Sequence, residues 1–112
     1  MEIANKSISP NASIVALNGA LNARSAEEAK QTFRNLSEQG VSQVIVDLSE
    51  VPFIDSSGLA ALVSGLRMAR EKGGVIALSG AQSQAQIIFR LTMLDRVFSI
   101  HPTVEEAGQS LR

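Results

Sequence analysis

The sequence predicts a single α/β domain over residues 1–112: a small mixed β-sheet with an N-terminal hairpin, four to five strands, and about four flanking helices. Three observations carry this. Short apolar runs of strand length (residues 44–48, 75–78 and 97–100) alternate with longer segments whose apolar residues recur at helical spacing. Ser25-Ala26-Glu27-Glu28 and Thr103-Val104-Glu105-Glu106 both match a helix-opening capping box. Strands that alternate with helices imply parallel neighbours joined by right-handed crossovers. A chain of 112 residues can build one such layered core.

Residues 3–9 are a weak strand candidate that ends at the turn Pro10-Asn11. Residues 13–18, with Ile14, Val15 and Leu17, form its hairpin partner and place an antiparallel edge on the sheet. Residues 19–24 are a loop. At Ser25 the capping box expects the hydroxyl to bond the Glu28 amide while Glu28 reaches back. Ala29, Phe33 and Leu36 then line one face of the first helix, and Gly40 is its stop. After the buried strand 44–48 comes Phe53-Ile54-Asp55-Ser56-Ser57-Gly58-Leu59, a polar turn that hands over to a second helix. Leu59, Leu62, Val63 and Leu66 repeat at helical spacing there. Arg67, Arg70 and Lys72 suit the negative end of the helix dipole, and Gly73-Gly74 ends it. Strand 75–78 follows. Ser83 starts a third helix, with Ile87, Ile88 and Leu91 inward, and residues 97–100 form the last strand. Thr103 opens a terminal helix that contains Ala107 and runs toward Leu111. The order is β-β-α-β-α-β-α-β-α, with no internal repeat or linker.

Composition narrows the function. Lys and Arg number 10 against 11 Asp and Glu, for a formal net charge of -1, and the basic residues do not cluster. That gives nucleic acid no electrostatic footprint, and the lack of Tyr and Trp removes the usual stacking platforms. The chain has no Cys, which excludes disulfides, thiolate catalysis and Cys-based metal sites. The N-terminal residues lack a signal-peptide pattern, and no apolar run approaches membrane-spanning length, so a cytoplasmic protein without membrane insertion is expected.

Little catalytic chemistry is present. His101, the sole histidine, falls in a predicted loop after the last strand and lacks a companion ligand or base, so a structural role is the simpler reading. No P-loop, dinucleotide fingerprint or nucleophile elbow occurs. Asp47, at a strand end, suits local backbone bonding. The expectation is a non-enzyme without metal or cofactor. The turn at Asp55-Ser56-Ser57 stands out because a helix N-terminus there offers free N–H groups and a partial positive charge. It can seat a phosphate, or a hydroxyl that will receive one. The simpler alternative is that Asp55, Ser56 or Ser57 merely caps the helix.

Asp47-Leu48, Val51, the Phe53–Leu59 turn and Gly73-Gly74 before a strand together resemble the STAS domain, and most closely the bacterial anti-sigma factor antagonists. Leu91-Thr92-Met93-Leu94-Asp95-Arg96-Val97-Phe98 and Thr103-Val104-Glu105-Glu106-Ala107 extend the likeness over nearly the whole chain. The resemblance implies a cycle. The unmodified protein binds an anti-sigma factor that is itself a serine kinase; phosphorylation releases it, and a phosphoserine phosphatase resets it. It implies Ser56 as phosphoacceptor and a partner surface made from Asn22, Phe53, Asp55, Ser57, Gly58, Leu59, Leu62 and Val63. Ala20 and Asn22 depart from the family, which has acidic residues at both places, beside the phosphorylation site. Met93 stands where the family often has Gly. The alternatives are a constitutive STAS partner-binding subunit of a lipid-transport or stress-sensing assembly and, less well supported, a nucleotide-binding protein.

Overall fold

The computed structural model describes residues 1–111. Its elements run β1 (Glu2–Ser9), β2 (Ala12–Asn18), α1 (Ala26–Glu38), β3 (Gln43–Glu50), α2 (Ser56–Glu71), β4 (Val75–Ser79) and α3 (Ser83–Leu91). A 3-10 turn (Leu94–Arg96), β5 (Ser99–His101) and α4 (Val104–Ser110) complete the order. The five strands lie in one sheet in chain order, β1-β2-β3-β4-β5. β1 pairs antiparallel with β2, and β2 to β5 run parallel. This is the mixed sheet with a hairpin edge that the alternating pattern predicts.

Alternation along each strand splits the sheet into two faces. Val15, Leu17, Val44, Val46, Ile76 and Leu78 point to a large core shared with α1, α2 and α3. Ile45 and Ala77 point the other way and meet Ala107 of α4. Three helices therefore cover one face, and the short α4 covers part of the other.

Three local expectations are corrected. The inward face of α3 is Ala85 and Phe89, with Ile88 partly buried, whereas Ile87 is 51% exposed and Leu91 78%. Phe89 wins the core position because its ring packs on Phe98, centroids 6.5 Å apart, and an aromatic ring buries more area than an aliphatic side chain. Residues two places from it are then rotated about 200° away, onto the solvent side. Second, Ser25 does not cap α1. It sits in a helical rather than extended conformation and is buried. Its hydroxyl instead donates to the Ala20 carbonyl (2.8 Å) and accepts from the Asn22 amide (2.9 Å), tying the loop before the helix. Third, β5 starts at Ser99 because the amides of Val97 and Phe98 still bond back to the Leu94 carbonyl at 3.0 and 2.9 Å. His101 is thus the last residue of a strand, not part of a loop. The box at Thr103 does supply its cap: Oγ1 accepts from the Glu106 amide at 3.1 Å.

Candidate functional site

The polar turn is held from two sides. After β3, buried Val51 and Ile54 pin the crossing segment to the core, and Phe53 between them projects outward, 47% exposed. Leu21, in the loop before α1, forms an isolated parallel bridge with Ile54. Its amide donates to the Phe53 carbonyl (2.9 Å), and its carbonyl accepts from the Asp55 amide (3.2 Å). From the other side, Gln84 of α3 clamps Ile54, with Oε1 accepting from the Ile54 amide and Nε2 donating to its carbonyl, both at 2.9 Å. Gln82 likewise donates to the Ser49 carbonyl at 2.9 Å. Neither glutamine carries a sequence signal for this role, since each reaches a partner 30 or more residues away.

Within this frame the three capping candidates separate. Asp55 is extended, and its Oδ1 accepts from the Gly58 amide at 3.0 Å, so Asp55 is the N-cap. Ser56 and Ser57 are the first two residues of α2. Ser56 is exposed and Ser57 half-buried. Gly58 is buried because the loop presses on it: a Cβ placed there would lie 2.2 Å from the Leu21 carbonyl oxygen. Residues 19–25 are thereby brought against the first turn of α2. Asn22 is half-buried, with its Oδ1 accepting from the Arg24 amide at 3.0 Å within its own loop.

The expected contact residues divide by exposure. Phe53 and Ser56 are exposed; Asn22, Asp55, Ser57 and Val63 are half-buried. Leu59 and Leu62 are buried, at 8% and 0% exposure, and face the core, which corrects their placement on a contact surface. The reason is helical geometry: with Leu66 they form the inward stripe of α2. Other apolar side chains face solvent instead. Ile87, Leu91, Met93 and Val97 are all exposed, and Val97 joins Val63, Leu66, Arg67, Arg70 and Glu71 around a groove of about 370 Å³. Among the described residues no cluster of His, Asp or Glu is placed to hold a metal ion, and no helix is long and apolar enough to cross a membrane.

Comparison with known proteins follows the same outline. The STAS domain family model matches residues 4–107. A Thermotoga maritima protein described as a candidate anti-sigma factor antagonist is 31% identical over 83 residues, 74% of each chain. The crystal structure of such a protein from the same organism superposes with a TM-score of 0.91 at 29% identity, covering 98% of this chain and 94% of that one. The anti-sigma factor antagonist SpoIIAA shares the fold at 20% identity. Its unphosphorylated form gives a TM-score of 0.87 over 99% of this chain and 96% of the other. Its phosphorylated form, from Bacillus, gives 0.78 over 99% and 100%.

Proposed function

Because this chain belongs to the STAS domain family, we propose that it is a cytoplasmic anti-sigma factor antagonist whose binding is switched at Ser56. Unphosphorylated, it binds an anti-sigma factor that is a serine kinase and so frees a sigma factor. Phosphate on Ser56 ends the contact, and a phosphoserine phosphatase restores it. The observation that supports this most is the division of labour at the turn. Asp55 takes the cap, which leaves the Ser56 hydroxyl exposed at the start of α2. The partner surface comprises Phe53, Asp55, Ser56, Ser57 and Val63, with Asn22 at its edge and the exposed side chains of Ile87, Leu91, Met93 and Val97 as its apolar extension. Gly58, Leu59 and Leu62 support it from beneath. The likeness to proteins described as candidate antagonists, which this chain matches over 74% and 94% of their lengths, points the same way.

Three energies decide what the phosphate does. It adds about -1.5 to -2 charges at neutral pH. In the free protein the helix N-terminus favours that anion by about 0.3–1 kcal/mol, while Asp55 opposes it through solvent that screens the pair. In a complex water is excluded, and an unmatched buried charge costs roughly 2–5 kcal/mol. The last effect is the largest, so the switch acts on binding rather than on folding. Affinity should fall about 30- to several-thousand-fold.

The test is calorimetric titration of a kinase-type anti-sigma factor, taken from the neighbouring reading frames, against wild type, Ser56→Ala and the phosphoprotein. Ser56→Ala should bind as wild type does and take no phosphate; the phosphoprotein should bind far more weakly and melt at nearly the same temperature. Equal affinity of the two forms, or phosphate on Ser57 alone, would overturn the assignment. Tight binding with no phosphate transfer would favour the constitutive subunit, a reading to which the uncharged Ala20 and Asn22 lend weight.

A further inference from the structure

A second feature lies at the same end of the sheet but involves none of the switch residues. β4 and β5 are parallel neighbours, and the chain leaves them in opposite directions. From β4 it passes to α3, which packs on the face shared with α1 and α2; from β5 it passes to α4 on the other face. Outgoing connections that diverge in this way open a crevice beyond the carboxyl ends of the two strands, the place where α/β sheets take ligands. The crevice is present. It measures about 500 Å³ and is walled by the loop after β4, at Gly80-Ala81, and by the end of β5 with the residue that follows, His101-Pro102. That volume falls in the range of small-molecule sites, about 300–1,000 Å³.

Its lining has a definite chemistry. Ile100 and Pro102 supply an apolar wall, backed by the buried Phe89. Arg90 of α3 supplies the one cationic side chain of the lining, Asp95 a single carboxylate, and His101 closes the end of β5. The His101 ring is fixed: its Nε2 meets the Ser99 hydroxyl at 2.5 Å. When that hydroxyl donates, the ring proton sits on Nδ1, the nitrogen left to donate elsewhere. The two walls are also tied, because the Gly80 amide donates to the His101 carbonyl at 3.1 Å. Gln86 stiffens the first loop by donating to the Ala81 carbonyl at 2.8 Å. Both bonds hold the first loop against its neighbours.

We propose that this crevice binds a small monocarboxylate that carries an amino or hydroxyl group beside an apolar body. Arg90 takes the carboxylate, for which its planar fork is suited. Asp95 accepts from the amino or hydroxyl group, and the same carboxylate disfavours ligands with two negative charges. Ile100 and Pro102 cover the apolar body. The proposal stands independently of the Ser56 switch.

Amide chemical shifts of the full chain would be followed by NMR during titration with L-phenylalanine, with phenyllactate and with inorganic phosphate. Either organic acid should move the amides of residues 80–81, 89–90 and 100–101 saturably, at submillimolar to millimolar concentration, while phosphate leaves them still. A response to phenylalanine alone assigns an amino acid, and a response to phenyllactate alone a hydroxy acid. Arg90→Gln, at an exposed position that leaves the core intact, should weaken binding by about tenfold or more. Asp95→Asn should weaken the phenylalanine arm most. Ser56→Ala should change neither. No saturable shifts with either acid, or equal shifts in Arg90→Gln, would overturn the proposal.

Discussion

Gly58 sets how closely the first turn of α2 can approach the loop before α1. A Cβ there would meet the Leu21 carbonyl oxygen at 2.2 Å and its carbonyl carbon at 2.9 Å, and backbone cannot step aside as a side-chain tip can. Gly58→Ala should therefore cost about 3 kcal/mol or more, at or beyond the upper end for overpacked sites, even though Ala is the better helix former. Gly108→Ala is the control, since its nearest neighbour is the Ile45 Cδ1 at 3.7 Å. Urea denaturation of both variants checks this; equal stability of Gly58→Ala and wild type would refute the contact. The same closeness explains why Ser56 is presented by two segments distant in sequence. The turn is anchored by Leu21 on one side and by Gln84 on the other. The Asp55 cap was among the readings open from sequence, but the choice among three adjacent polar residues needed the extended backbone at Asp55.

Helix ends show where local chemistry and fold agree and where they part. α1, α2 and α3 all leave through a residue with positive φ just past the C-cap: Gly40 at 84°, Gly73 at 78° and Met93 at 61°. After α1 and α2 the chain closes a Schellman pair, with Val41 and Gly74 amides reaching the Leu36 and Ala69 carbonyls at 2.9 and 2.8 Å. Met93 makes the same kind of exit without the residue suited to it. The left-handed conformation costs a side-chain-bearing residue about 1–2 kcal/mol. Glycine removes that cost but adds roughly 0.5–1 kcal/mol of chain freedom to the unfolded state. Met93 is 61% exposed, so little packing is lost with it. Met93→Gly should raise stability by a net ~0.5–1 kcal/mol, seen as a higher urea midpoint at unchanged slope. Met93→Ala should show no gain; if it matched Met93→Gly, backbone strain would not be the cause.

For the molecule as a whole, the proposed partner switch assigns folding and recognition to different side chains of the same segment. Leu62 is fully buried beneath α2, whereas Phe53 stands outside. Leu62→Ala should lose about 2–5 kcal/mol of stability yet bind the partner kinase normally in whatever fraction stays folded. Phe53→Ala should leave the melting curve near wild type and weaken partner binding. The reverse outcome in paired calorimetry and melting experiments would move the contact surface elsewhere. Strand and helix order, the hairpin edge, the Thr103 cap and the placing of Asp55-Ser56 at a helix start were all legible in the sequence. Each depends on residues within a turn or two of one another, through periodicity and capping. The rotation of α3, the true partners of Ser25 and the burial of Leu59 and Leu62 were not. An amphipathic pattern names an apolar stripe, but Phe89 chose the stripe of α3 by meeting Phe98 from another element. Likewise Leu21 meets Gly58, and Gln84 meets Ile54 across 30 residues, only once the sheet has set its strands side by side. Tertiary structure decided those points because long-range packing, which local spacing does not encode, selects which of several apolar faces is buried.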